Sequence, residues 1–217
     1  MKALKDWVVL SVTCVALAVA SSAEDGWIDL FDGKTLEGWK ANENPGSWQV
    51  RDGYIVSMGQ PLSHLFFVGD VHGARFKDFE LKIDVMTMPG ANGGVYFHTE
   101  WEDKSFPKAG FEAQINNSYA PDPRKTGSNY ALAVNLTPPA NDNEWFTMHI
   151  VVKGESVTIS VDGKVTSQWT QPPGWPGLIQ DLYNYPERRI RSGTFALQAH
   201  DPKSVVFYKN IRVKPLD

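Results

Sequence analysis

The chain has 217 residues, a formal net charge of −4, eight tryptophans and 12% aromatic residues. That length suits a single all-β domain with a substantial core. A mildly acidic chain without a basic stripe argues against nucleic acid as a partner. The one basic cluster, Glu187-Arg188-Arg189-Ile190-Arg191, reads as a short solvated loop.

Residues 1–23 read as a signal peptide. Lys2 and Lys5 give a positive start, residues 7–20 form an apolar run too short to span a bilayer well, and both Ala18-Val19-Ala20 and Ser21-Ser22-Ala23 offer small residues for cleavage, expected after Ala23; an uncleaved membrane anchor over 7–20 is the alternative. The expected product is secreted or periplasmic, with no membrane segment after cleavage. The only cysteine, Cys14, lies in this leader. Residues 24–217, the expected single domain, therefore have no disulfide, no thiol nucleophile and no cysteine-based zinc site.

Past the leader, strand signals recur and helical periodicity is nearly absent. Asp52-Gly53 turns a hairpin within residues 48–57. Residues 79–88 alternate, with Leu81, Ile83 and Val85 on one side and Glu80, Lys82 and Asp84 on the other. Strands are also expected at 94–100, 111–116, 130–134, 146–153, 157–161, 164–169, 193–200 and 205–213. Residues 171–186, rich in Pro, Gly and aromatics, read as a long ordered loop. The spacing predicts an antiparallel two-sheet β-sandwich.

Alternation also sorts polar side chains onto one face. Opposite the core residues of their strands lie Tyr96, His98 and Glu100; Glu112, Gln114 and Asn116; and Gln198 and His200. Such a floor suits sugars, whose hydroxyls need paired donors and acceptors while their ring faces stack on aromatics. A solvent-facing strand is polar for simpler reasons, so each histidine is equally read as an ordinary surface residue. A divalent metal held by His98, Glu100, Glu112 and His200 is possible in ligand type, but no short-range spacing supports it, and no cofactor is predicted.

Several motifs are similar to those of the 3-keto-disaccharide hydrolase domain family. Gly26-Trp27-Ile28-Asp29-Leu30-Phe31-Asp32-Gly33-Lys34-Thr35-Leu36-Glu37-Gly38-Trp39 resembles its opening signature. Asn92-Gly93-Gly94-Val95-Tyr96-Phe97, Gly110-Phe111-Glu112-Ala113-Gln114-Ile115, Thr126-Gly127-Ser128-Asn129-Tyr130 and Leu197-Gln198-Ala199-His200 follow in the family's order. The resemblance implies a concanavalin A-like jelly roll, laminin-G-like in kind, and cleavage of glycosidic bonds in sugars oxidised at C3. By motif it places Glu112, Gln114, Gln198 and His200 on the active face; the candidate catalytic residues are Glu112 and His200, and the candidate substrate-binding residues are His98, Gln114, Gln198, Tyr96 and Tyr130. His98 stands where the family commonly has Arg, and Asn117 where an Asp commonly follows.

The implied chemistry removes the acidic C2 proton of a 3-keto sugar, expels the aglycone at C1 and then adds water. It needs one base, donors to the enolate oxygen and an acid for the leaving group. Glu112 or His200 fits the base, and Gln114, Gln198 and His98 fit the donors. A conventional glycosidase wants two opposed carboxylates, of which Glu100 is the candidate second. The rival class is a lectin-like carbohydrate-binding module using the same floor, with Trp101, Trp175 or Tyr183 for stacking. Either way the expected partner is a carbohydrate.

Intact-mass analysis of exported protein is expected to give a chain beginning at Glu24. A species retaining Met1 or Cys14 contradicts the leader.

Overall fold

A computed structural model describes residues 26–58, 62–180 and 183–216; the expected leader lies outside the described residues. The strands are β1 (Ile28–Asp29), β2 (Trp39–Ala41), β3 (Trp48–Arg51), β4 (Tyr54–Met58), β5 (Ser63–Phe67), β6 (Phe79–Thr87), β7 (Gly93–Thr99) and β8 (Phe111–Ile115). They continue with β9 (Phe146–Lys153), β10 (Ser156–Val161), β11 (Lys164–Thr170), β12 (Leu178–Gln180), β13 (Tyr183–Tyr185), β14 (Thr194–Ala199) and β15 (Val205–Pro215). The larger sheet runs β11-β10-β9-β6-β15-β4-β3, with β1 also paired to β15, and the smaller runs β2-β5-β14-β7-β8. Paired strands are antiparallel, so the chain is an all-β, two-sheet sandwich. Among the described residues no helix is long and apolar enough to cross a membrane.

The core forms where the apolar faces meet. Leu81, Ile83, Val85, Met148 and Ile150 of the larger sheet join Val95, Phe97, Ala113, Ile115, Phe195 and Leu197 of the smaller in one buried cluster. Polar partners pair across the outer face of the larger sheet: Thr147 Oγ1 donates to Asp84 at 2.7 Å, and His149 meets Glu80 at 2.9 Å. This is the alternation of β6 and β9 written in three dimensions.

Three local readings are corrected. Residues 130–134 are a turn with isolated bridges, because Asn129 bonds back to Ala133 and Ala131 takes a positive φ of 61°. Strand β5, Ser-His-Leu-Phe-Phe, gives no period-two signal because it is central, between β2 and β14, and buried on both faces. Within 171–186, β12 and β13 pair as a short hairpin.

His98 is the correction with most consequence. Opposite β14, strand β7 carries one extra residue between Tyr96 and Thr99, and His98 lies in this bulge at φ 56°. The bulge breaks the alternation, so His98 turns into the core rather than onto the polar floor. Its ring packs edge-on against Phe79 at 5.5 Å and touches Phe97 and Phe111. Nε2 lies 2.8 Å from the carbonyl of Lys77. A carbonyl only accepts, so the proton sits on Nε2 and Nδ1 has no partner.

Burial drives His98 down to about 4 and His64, on β5, down to about 3, from an ordinary 6.5. Both are neutral in the fold but charge in the unfolded chain. Their contribution to stability is full above about pH 6.5 and is lost as pH falls toward the folded values, each unit being worth about 1.4 kcal/mol. Denaturant melts between pH 7 and 4 should therefore show several kcal/mol of acid destabilisation, on the order of these shifts. The slope should be shallower in His98→Gln, which keeps a donor for Lys77 and does not titrate; an unchanged slope contradicts this assignment.

Candidate active site

The face of the smaller sheet turned away from the core carries the polar residues. Register places Tyr96 opposite Glu112, Gly94 opposite Gln114, and Gln198 opposite His64. Tyr96, Glu112, Gln114 and Gln198 form the floor of a partly open cavity of about 180 Å³. Three loops wall it. Phe106 comes from the β7–β8 loop, Asp122 and Tyr130 from the loop after β8, and Tyr185 and Arg188 from the hairpin segment before β14. Asn92 and His200 close the remaining side.

A chain of hydrogen bonds orders the floor. Gln198 Nε2 donates to the Tyr96 hydroxyl at 3.2 Å, which donates to Glu112 Oε2 at 2.8 Å. Gln114 Nε2 donates to Asn92 Oδ1 at 2.8 Å. Two acceptors, Gln114 Oε1 and Gln198 Oε1, are buried without a partner among the described residues. Buried polar atoms are rarely left unpaired, and two at one cavity mark a place for a ligand's hydroxyl donors or for water.

Gly94 makes room for the carboxylate. A Cβ there would stand 2.5 Å from Glu112 Oε1, so only glycine lets that side chain lie across β7. Burial raises the Glu112 carboxyl above its ordinary 4.5, and Arg188, the Tyr96 hydroxyl, His200 and Arg124 only partly offset this. Burial likewise raises the Tyr96 hydroxyl, helped by the neighbouring Glu112. His200 Nδ1 bonds Asp201 Oδ2 at 3.0 Å. Burial pushes Asp201 up, but hydrogen bonds from Ser204, His200 and Lys203 outweigh it and hold the carboxyl below its ordinary value. An ionised Asp201 fixes the proton on Nδ1 and leaves Nε2 as the ring's other functional nitrogen.

The cavity thus brings together Glu112, His200, Gln114, Gln198, Tyr96 and Tyr130, and leaves out His98. The metal-ligand set is not assembled. His98 is in the core and Glu100 is ion-paired with Arg191, outside the cavity. Among the described residues no three His, Cys, Asp or Glu converge as a metal cluster. Trp101 packs on Phe66, and Trp175 packs on Trp169 and donates to the Arg188 carbonyl, so neither lines the cavity. Asn117 is a structural link between Thr87 and Thr126.

Sequence reasoning missed Asp122, Phe106, Tyr185 and Arg188. Arg188 is a correction: it is 4% exposed, not part of a solvated loop. Asn92 lay within a quoted motif, which was the signal for it. The loop residues belong to no periodic segment, and only the folding of their loops over the sheet reveals them.

Fold and site define an antiparallel two-sheet β-sandwich with a partly open polar cavity on its smaller sheet. Residues 26–214 match the 3-keto-alpha-glucoside-1,2-lyase-like domain, and the chain belongs to that family. A 3-keto-disaccharide hydrolase of Bacteroides thetaiotaomicron is 28% identical, over 89% of this chain and 79% of that protein. A crystal structure described as a glycosyl hydrolase from Parabacteroides distasonis superposes with TM-score 0.75 at 27% identity, covering 88% of this chain and 94% of the other. The carbohydrate-binding module CBM66 of Bacillus subtilis shares the fold at TM-score 0.55 and 14% identity, over 81% and 94% of the two chains.

Gly94→Ala is expected to keep the sandwich but push the Glu112 carboxylate aside, breaking its 2.8 Å bond with Tyr96. A crystal structure of the variant checks this, and an unmoved carboxylate contradicts it.

Proposed function

We propose that this protein is a carbohydrate-active enzyme that cleaves the glycosidic bond of 3-keto-glycosides or 3-keto-disaccharides. The observation that carries the reading is Glu112: a buried carboxylate, held above its ordinary pKa, on the floor of a small cavity where the unpaired Gln114 and Gln198 oxygens are acceptors for hydroxyl groups. A simple binding site has little use for a buried carboxylate whose proton affinity is raised, whereas a base that must take a proton from carbon does. The family membership and the hydrolase relatives agree with this class of substrate.

In the reaction, Glu112 accepts the proton from C2, whose acidity comes from the C3 ketone. The electron pair left on carbon delocalises onto the C3 oxygen. Its return re-forms the ketone, makes the C1–C2 double bond and breaks the C1–oxygen bond to the aglycone. His200, entering with a second proton on Nε2, gives it to the departing oxygen; water then adds across C1–C2, its hydroxyl going to C1 and its other proton back to His200 while Glu112 returns its proton to C2, which leaves the free 3-keto sugar and both groups as they began. Gln114 Oε1 and Gln198 Oε1 accept from the ring's hydroxyls, Tyr96 steadies the ionised Glu112, and the Phe106 and Tyr130 rings flank the sugar. A two-carboxylate glycosidase fits less well. The other carboxylate on the cavity, Asp122, is bound by Arg124 through two contacts, at 2.8 and 3.0 Å.

The test follows aglycone release from a p-nitrophenyl 3-keto-glucoside and from the parent glucoside. The keto substrate alone should turn over, and Glu112→Gln should lower kcat by about 10²-fold or more with the fold retained. Because the base works ionised, the rate should fall with acid through a pKa above the ordinary 4.5. Equal release from the parent glucoside, or full activity in Glu112→Gln, overturns the reading. Sugar binding without any release makes the protein a lectin-like module.

A further inference from the structure

The chemistry above places negative charge on the C3 oxygen, and something must meet it. The floor is poorly equipped to do so. The Gln114 and Gln198 amide nitrogens each already give one N–H, to Asn92 and Tyr96, the N–H each has left is uncharged, and the floor's wholly unpartnered amide atoms among the described residues are oxygens, which only accept. The Tyr96 hydroxyl already donates to Glu112.

Arg188 is differently placed. It is buried in the cavity wall, and among the described residues it makes no ion pair, unlike Arg124 with Asp122 or Arg191 with Glu100 and Glu187. Nη2 reaches the carbonyl of Pro107 only at a long 3.4 Å, and Nε is buried with no hydrogen-bond partner among the described residues. Arg188 and Glu112 line the same cavity and interact electrostatically without closing on each other. The guanidinium is also preorganised. It lies over the Tyr185 ring at 4.7 Å, the Arg188 N–H donates to the Tyr185 carbonyl at 3.1 Å, and Trp175 Nε1 donates to the Arg188 carbonyl at 2.9 Å. A buried cation with an uncommitted donor, stacked on one ring and carried by a main chain bonded on both sides of the residue, is the arrangement that stabilises charge developing on a bound oxygen.

We propose that Arg188 is the electrophilic catalytic residue: its guanidinium donates to the C3 oxygen of the keto-sugar and carries the charge that appears there when Glu112 takes the C2 proton. No proton is transferred from Arg188. It holds the enolate until the electron pair returns to expel the C1 oxygen, which takes its proton from His200. This role rests on the 3-keto reading of the site. The same residue orients the sugar, since a ketone at C3 is the group its donors meet.

The test compares wild type, Arg188→Lys and Arg188→Met on p-nitrophenyl 3-keto-glucoside, with folding checked by circular dichroism. Arg188→Met should lower kcat by about 10²- to 10³-fold, as for loss of an oxyanion donor, with KM little changed. Arg188→Lys keeps the charge but not the planar fork, and should lose roughly tenfold. The acid limb of kcat/KM should move to higher pH in Arg188→Met, where a cation favouring the Glu112 carboxylate is gone, and stay in place in Arg188→Lys. The other groups setting that limb, Tyr96 on β7, His200 after β14, and Arg124 and Asp122 after β8, are common to all three proteins. Unchanged kcat in Arg188→Met, a loss confined to KM, or equal losses in both variants with an unmoved limb overturns the proposal. Should Arg188→Met not fold, wild-type kcat in Arg188→Lys overturns it. Wild-type protein inert toward the keto substrate sinks the underlying reading. Active wild type with an equally active Arg188→Met sinks the role of Arg188 alone.

Discussion

The structure turns on a carboxylate kept out of water. Glu112 is on β8 of the smaller sheet, facing away from the core, where an ordinary sandwich would leave it solvated. Here three loops cover it, and a buried ionised carboxylate is costly unless it is paired and hydrogen-bonded. Its surroundings answer that cost in a specific way. Gly94 vacates the space it occupies, the Tyr96 hydroxyl donates to it, and Arg188 and Arg124 supply positive charge. The result is a carboxylate whose affinity for a proton is raised, on a floor whose unpaired Gln114 and Gln198 oxygens accept hydrogen bonds.

The cover over Glu112 is as firmly built as the floor. The segment before β14 is anchored by Trp175 to the Arg188 carbonyl, by Gln171 to the Ile190 N–H at 2.7 Å, and by Arg189 to the carbonyls of Pro186 and Pro176. Gly110 N–H reaches the Glu187 carbonyl at 3.3 Å, tying this segment to the start of β8. Gly177, at φ 96°, lies so close to Pro186 that a side chain there would meet backbone at 2.5 Å. These bonds tie the described parts of the segment to one another and to the start of β8, and they carry Tyr185 and Arg188 into the cavity wall.

The two buried histidines of the smaller sheet show how far position outweighs residue type. His98, in a bulge, is turned into the core among phenylalanines. His64, on the cavity side of β5, lies against Tyr96 and Phe106 with neither ring nitrogen partnered. His200, at the end of β14, is the one whose ring is oriented by a carboxylate and exposed to the cavity. Of the three, only His200 has the orientation and access that proton transfer needs.

By itself the sequence determined the sandwich, because period-two alternation in β6, β9 and β15 leaves each strand one apolar face, and two such faces exclude water only by stacking. It also determined which face of β8 and β14 bears Glu112, Gln114 and Gln198, since pleating is a local property. Tertiary structure decided the rest. An extra residue opposite β14 rotated His98 off the floor, and central placement buried β5 without any periodic signature. Loops with no period brought Phe106, Asp122, Tyr185 and Arg188 over the sheet. Alternation assigns a side chain to a face only while the strand stays regular, and it carries no information about which loops fold over that face. A charged run such as residues 187–191 looks solvated in sequence because its burial depends on contacts more than seventy residues away, with Pro107 and Gly110.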